Sequence, residues 1–317
     1  MPVLPCVQVP LLDVVLGYDC NLACDYCTIT PAMRLRALST PSVLRALDEG
    51  RALGFEAVSF TGGEPTIRRD LLGLVRAARD KGYRDIKVQS NGLLFAHGPN
   101  VERLIVAGAN RFHVSIHTHE PAAYDALVRR EGSWPMMVAG LDHLVARGVR
   151  LVADVILKRD TWPRLGLALE WLAARGVREV HLWFVSLTDG NRDNIESMPR
   201  MTEVMPELAR AFAWARDHGM ELRSLHIPRC LLGADAQHAY DPGADRVRVV
   251  TPEATFELRD SRLAGQTHVP ACEGCVHRPI CPGVRPDYLA RYGDEEIARG
   301  RGLPSTMSPI RGLPIVR

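Results

Sequence analysis

Six times between residues 12 and 218, a short β-branched run gives way to a longer amphipathic stretch. The extended runs are 12–16, 57–60, 86–89, 111–116, 151–157 and 179–187; the helical patterns are 40–53, 70–81, 100–107, 136–147, 163–175 and 203–217. Several helical patterns close on glycine, at Gly54, Gly82, Gly108, Gly148, Gly176 and Gly219, where a left-handed cap costs little. Ser39, Thr40 and Pro41 punctuate the start of the first helix. Strands alternating with helices pair in parallel through right-handed crossovers. Eight such units close a full barrel. Six predict an α/β fold of the partial, open (β/α)6 TIM-like kind, with a lateral gap for another element to cover. A doubly wound sheet fits the same pattern, and in either case chemistry belongs at the C-terminal ends of the strands.

After Gly219 the rhythm breaks into short extended runs, 246–250 and 255–258, and loops. The chain thus divides into a barrel, 1–219, a small C-terminal domain, 220–300, and a tail, 301–317, whose Pro304, Pro309 and Pro314 predict an extended or disordered strap. A net charge of +2 gives no electrostatic case for nucleic acid or an anionic membrane. No signal peptide is visible, and no run approaches the ~20 apolar residues that span a bilayer. These features predict a cytoplasmic protein, where thiols stay reduced. Its eight cysteines are then candidates for metal ligation before disulfides. Three fall between positions 20 and 27 and three between 272 and 281, while Cys6 and Cys230 stand alone.

Cys20, Cys24 and Cys27 follow the first extended run in the pattern C-x3-C-x2-C. Thiolates suit iron–sulfur clusters and zinc alike. Four-sulfur zinc sites usually come as paired C-x2-C knuckles, so this triad fits zinc less well. Three protein ligands on a four-iron cluster leave one iron open to a small molecule.

The stretch Cys20-Asn21-Leu22-Ala23-Cys24-Asp25-Tyr26-Cys27 resembles the signature loop of the radical S-adenosylmethionine (radical SAM) superfamily, including the aromatic Tyr26 before the last cysteine. The resemblance continues in order along the chain. Thr61-Gly62-Gly63-Glu64-Pro65 follows the second strand, Gln89-Ser90-Asn91-Gly92 ends the third, and Ser115 lies near the end of the fourth. It covers roughly residues 10–220 and implies a 4Fe–4S cluster whose open iron chelates the methionine moiety of S-adenosylmethionine. One electron then releases a 5′-deoxyadenosyl radical that abstracts a substrate hydrogen. It also implies that Gly62, Gly63, Glu64 and Pro65 receive the cofactor's ammonium, with Glu64 as the charge partner. Ser90, Asn91 and Ser115 would serve its carboxylate and ribose. Arg130, or its neighbour Arg129, would bind the carboxylate bidentately.

Cys272, Cys275 and Cys281, with Cys230, offer four thiolates, which by chemistry alone suit a second 4Fe–4S cluster or structural zinc. The pattern is similar to the SPASM and shorter twitch auxiliary-cluster domains of radical SAM enzymes, and four cysteines match the twitch form. Cys6 reads as a small buried hydrophobe. His113, His117 and His119 look like a metal site at first glance, but the pair His113 and His117, which share a strand face, reads more readily as structural. His117 is also a candidate substrate contact or proton relay, and Asp154, an acid in an apolar strand, a candidate for a catalytic or binding role. Asp189, Asn191, Arg192 and Asn194 are expected to face the gap, and Trp183 and Phe184 to lie in the core.

These readings predict a radical SAM enzyme with two 4Fe–4S clusters, reduced by a flavodoxin or ferredoxin and acting oxidatively on a ribosomally made peptide. About ten residues precede the first strand, too few for a leader-binding domain, so the barrel gap or a partner would recognise that peptide. The alternative is dehydrogenation or rearrangement of a small sugar or amino-acid derivative. A more distant one is a non-catalytic scaffold with zinc at both cysteine groups.

Overall fold

The structure, a computed structural model, describes residues 10–240, 246–261 and 267–300. Cys6 and the tail from residue 301 lie outside them. The strands are β1 (Leu11–Val15), β2 (Ala57–Thr61), β3 (Asp85–Ser90), β4 (Arg111–Ser115), β5 (Arg150–Leu157), β6 (Glu179–Phe184), β7 (Glu221–Leu225), β8 (Ala239–Tyr240), β9 (Val247–Val250) and β10 (Thr255–Glu257). They form one sheet in the order β10-β9-β1-β2-β3-β4-β5-β6-β7-β8, parallel throughout except for β10 against β9. Among the described residues no ladder joins β8 to β10, so the fold is the expected unclosed α/β barrel.

The helices between strands are α1 (Thr40–Ala52), α2 (Leu71–Asp80), α3 (Gly98–Ala107), α4 (Pro121–Val128), α5 (Ser133–Ala146), α6 (Leu165–Ala174) and α7 (Met201–Asp217). Helix α1 is representative. Ser39 caps it by accepting from Ser42 N at 3.2 Å, Pro41 sits in its first turn, and Val43, Ala46, Leu47 and Gly50 form its buried stripe. That i, i+3, i+4, i+7 spacing lays one face on the sheet. Short helices α8 (Arg229–Leu232), α9 (Pro286–Tyr292) and α10 (Glu295–Gly300) follow in the C-terminal part.

The structure departs from the sequence pattern in three places. The sheet does not stop at Gly219: β7 pairs with β6 in parallel, and β9 inserts beside β1. Helix α4 was hidden in the stretch 117–132, a single Pro-initiated turn pair with Tyr124, Leu127 and Val128 inward. Strand β6 ends at Phe184 rather than at residue 187; Val185 and Leu187 stay buried after the chain has left the ladder, while Ser186 between them is half-buried.

Candidate active site

The loop from β1 carries all three clustered cysteines, and it is fastened from every side. Arg34 donates to the carbonyls of Cys20 and Leu22 at 2.9 and 2.6 Å. Asn91, just past β3, donates to Asn21 Oδ1 at 2.7 Å. The amide of Asp25 donates to Leu127 O at 2.9 Å at the end of α4. Lys158, buried just past β5, pairs with Asp25 at 2.8 Å. Gly190 N and Asn194 Nδ2, beyond β6, donate to Thr28 O and Asp25 O at 2.8 and 2.9 Å. The polar loop expected to face the gap therefore clamps the cysteine loop, with Asn191 buried beneath it. The Lys158–Asp25 pair was missed by sequence reading. Its only signal is an amine directly after a fully apolar strand end.

Cys20, Cys24 and Cys27 open onto a cavity of about 350 Å³ at the C-terminal ends of the strands. Gly62, Gly63, Ser90, Asn91, Ser115 and Tyr26 border it as well. Burial pushes the Cys24 thiol up to about 12, and raises that of Cys20. Such buried thiols ionise only when a bound cation compensates them, which is the condition an iron–sulfur cluster meets. The donor set and the adjoining space thus fit a cluster plus a small polar ligand.

Three expected cofactor residues, Glu64, Pro65 and Arg130, sit elsewhere. Glu64 is buried with its carboxylate turned away from the cavity. It accepts from Thr66 N and Oγ1 at 3.0 and 2.6 Å, from Ser90 Oγ at 2.9 Å and from Asn91 N at 2.7 Å. The reason is local: a carboxylate two residues before Thr66 caps the short 3-10 turn begun by Pro65, and both lie beside a different groove. Glu64 ties the glycine turn to the end of β3 and leaves no side-chain face for an ammonium in the cavity. Arg130 is exposed, reaches only Asn21 O at 3.4 Å, and does not border the cavity; Arg129 closes α4 in a left-handed conformation.

The far wall comprises His117, Asp154, Trp183, Phe184 and His226. His117 Nδ1 accepts from Ile156 N at 3.1 Å, so its proton sits on Nε2 and meets Tyr26 Oη. Burial holds this ring neutral, at about 3. Asp154 accepts from Trp183 Nε1 at 3.0 Å and lies 3.4 Å from both Gln89 Nε2 and His113 Nδ1. Burial pushes Asp154 up, but His113 and the donated hydrogen bonds outweigh it and hold it at about 2. The three histidines of the stretch 113–119 do not converge. His113 turns inward to Asp154 and His181, His117 faces the cavity, and His119 lies apart near Glu120. Among the described residues, His113, Asp154 and His181 alone bring three donor atoms within 4.8 Å. Trp183 borders the cavity rather than filling the core.

The second cysteine group also assembles. Cys230 at the start of α8 shares a small cavity with Cys272, Cys275 and Cys281. Burial and then the neighbouring thiols push Cys230 up to about 12.

A family model, the Radical SAM superfamily, matches residues 14–172, which is 159 of the 317 residues. The chain belongs to the radical SAM superfamily, whose members use a 4Fe–4S cluster and S-adenosylmethionine. Among curated proteins it is similar to GTP 3′,8-cyclase 1 of Mycobacterium tuberculosis, 35% identical over 139 residues, covering 41% of this chain and 38% of that one. It is also similar to the PqqA peptide cyclase of Ruegeria pomeroyi, 31% identical over 147 residues, covering 45% and 38%. The chain thus spans less than two fifths of the length of either. Among solved structures, Streptococcus suis SuiB bound to S-adenosylmethionine superimposes with a TM-score of 0.67 at 13% identity, over 90% of this chain and 74% of that one. That likeness is one of fold. Among the described residues, no helix is long and apolar enough to cross a membrane.

Proposed function

We propose that Cys20, Cys24 and Cys27 hold the catalytic 4Fe–4S cluster, and that Gly62, Gly63, Ser90, Asn91 and Ser115 seat S-adenosylmethionine beside it. One observation carries this: loops after β1, β2, β3 and β4 bring these residues to a single cavity, in the order of the superfamily's motifs. Bound there, cluster and cofactor supply a 5′-deoxyadenosyl radical that abstracts a hydrogen atom. The chain's own task is positioning. Lys158, Arg34 and Asn194 fix the cysteine loop, Glu64 fixes the glycine turn, and His117 and Tyr26 line the space where radical and substrate meet. Cys230, Cys272, Cys275 and Cys281 hold a second 4Fe–4S cluster in a C-terminal unit after β7. Its four thiols, gathered at one small cavity, supply the full ligand set of such a cluster. A flavodoxin or ferredoxin of the cytoplasm supplies the electrons.

The substrate is a ribosomally made peptide, oxidised by two electrons. The relative that acts on the peptide PqqA supports this. The GTP cyclases favour the second reading, a small metabolite. Changing Cys20, Cys24 and Cys27 together to Ala should abolish 5′-deoxyadenosine formation and lower reconstituted iron from about eight to about four per chain. Incubation with small peptides encoded beside the enzyme, read by mass spectrometry for loss of two hydrogens, decides between peptide and metabolite. Unchanged cofactor cleavage in the triple variant would overturn the assignment.

A further inference from the structure

We propose that His226 is the catalytic base of this oxidation, taking on Nε2 the proton that the substrate sheds after its hydrogen atom has been abstracted. The inference rests on the radical reading above. The titratable groups that border the cavity are the three thiols, Tyr26, Tyr124, His117, Asp154 and His226. The thiols are cluster ligands. Burial raises both tyrosines, which are acids and not bases at neutral pH. His117 has spent both ring nitrogens, Nδ1 on Ile156 and Nε2 on Tyr26. Asp154 accepts on both oxygens, and His113 with those donors holds it at about 2, a far weaker base than an imidazole. One uncommitted ring nitrogen is left.

It belongs to a ring that the chain holds at some cost. His226 has φ of 72°, a left-handed conformation that only a few per cent of non-glycine residues adopt and that tends to mark functional positions. The conformation swings the ring against Trp183, edge to face at 5.5 Å. Nδ1 lies 3.1 Å from Phe184 O and 3.3 Å from Arg285 Nη1. A carbonyl only accepts and a guanidinium only donates. The shorter contact puts the proton on Nδ1, leaving Nε2 as the accepting nitrogen of a residue that borders the cavity. Arg285, itself paired with Asp287 at 2.9 Å, is the cation facing the ring. Burial and then that guanidinium hold the imidazole at about 4, so it is neutral and able to accept at physiological pH.

The step balances for a carbon that bears a hydroxyl or amine. Its C–H bond breaks homolytically and the hydrogen atom leaves with the deoxyadenosyl carbon. The carbon radical then loses its O–H or N–H proton to Nε2 and one electron to an oxidised iron–sulfur acceptor. A C=O or C=N bond forms. The adjacent heteroatom makes the radical acidic, so a weak base suffices.

Diethyl pyrocarbonate, which acylates only neutral imidazole, tests the ring directly in the full-length anaerobic protein. Mapped by mass spectrometry, His226 should be labelled at nearly the same rate at about pH 5 and about pH 7. A histidine of ordinary pKa, ~6.5, slows roughly 25-fold over that interval. The second arm is His226→Asn, a side chain that tolerates left-handed backbone. With the peptide of the preceding test, oxidised product per deoxyadenosine should fall at least ~100-fold, with an organic radical accumulating in freeze-quenched samples. An ordinary titration of His226 labelling, or an unchanged product ratio in His226→Asn, overturns the proposal. A wild-type chain that forms no 5′-deoxyadenosine overturns the radical reading itself and is seen before the variant is compared.

Discussion

Gly63 is where the glycine turn and the cysteine loop touch, and Gly63→Ala measures how closely. A Cβ built at Gly63 lies 2.6 Å from the carbonyl carbon of Tyr18 and closer still to the carbonyl oxygens of Tyr18 and Asp19. Ordinary contact begins at 3.4 Å, so the Tyr18 carbon alone demands a retreat of about 0.8 Å, the difference of those two distances, and the closer oxygens demand more. Neither can do so freely. Gly63 N donates to Gly17 O at 2.9 Å and Glu64 N to Asp19 O at 2.8 Å, and Cys20 is the next residue along. Overpacking costs ~1–3 kcal/mol, and each strained hydrogen bond adds ~1 kcal/mol. A total of about 3 kcal/mol lowers Tm by roughly 4–5 °C in a chain of 317 residues, at ~2.1 cal/mol/K of unfolding entropy per residue. The displaced Cys20 should also cost the triad its iron, so reconstitution should approach the content of the triple cysteine variant. Differential scanning calorimetry and iron assay under anaerobic conditions read both effects. Gly73→Ala is the internal control. Gly73 lies within α2 with nothing within 4 Å of a built Cβ, so alanine there should stabilise by ~0.5–1 kcal/mol. A Gly63→Ala protein with wild-type Tm and wild-type iron would refute the reasoning.

Glu64→Gln should destabilise by ~1–3 kcal/mol, because one amide cannot accept from Asn91 N on one side and from Ser90 and Thr66 on the other; urea unfolding checks it, and wild-type stability would contradict the capping role. Lys158→Met strands the Asp25 carboxylate. Because Asp25 and Asp160 are partly solvated, the loss should sit below the ~3–5 kcal/mol of a fully buried broken pair, with lowered iron retention as the second readout. Asp154 carries a pH signature. Its folded pKa of about 2 lies below the unfolded ~3.9, so its stabilisation is complete above the unfolded value and is lost as pH falls towards the folded one. The stability gap between wild type and Asp154→Asn should therefore be flat from neutral pH down to about 5 and close below about 4; a gap that widens with acid would reverse the sign.

The barrel was legible because its signals are local. Period-two and period-3.6 patterns, glycine stops and the Ser39 cap each act within one turn or strand, and six of the seven barrel strands, β1 to β6, follow from them. Strand β7 was missed because Glu221–Leu225 alternates exposed and buried residues at a sheet margin and lacks the continuous apolar run of the central strands. The parallel insertion of β9 beside β1 joins residues more than two hundred positions apart, which no local pattern encodes. Six cysteines were legible by spacing, three to a group, whereas Cys230 has no spacing signal and was added only to complete four thiolates. Glu64 was misjudged because a motif names residue types and not the direction of a side chain: Thr66, Ser90 and Asn91 compete for the carboxylate and win. His226 was invisible for a related reason. Nothing in Leu225-His226-Ile227 signals a positive φ or a neighbour such as Phe184.

The position of His226 also bears on what the second cysteine group is for. Strand β7 ends at Leu225, His226 borders the cavity, and Cys230 follows four residues later at the start of α8. Four residues span at most about 14 Å even when fully extended, and the start of α8 shortens that path. A centre held by Cys230 therefore cannot be carried far from the cavity, whatever the intervening loop does. Arg229, between them, is anchored to the carbonyls of Ala236 and Ala239 at 2.9 and 3.2 Å, which fixes the segment's course. Arg285 makes the complementary link, touching His226 and pairing with Asp287, which accepts from Leu187 N beyond β6 at 2.7 Å. Proton acceptor and electron acceptor would thus stand on one short, doubly braced segment at the rim of the barrel. That arrangement suits a substrate radical that must lose both before it can recombine with hydrogen, and it is a reason for the second cysteine group to be built onto the end of a barrel strand.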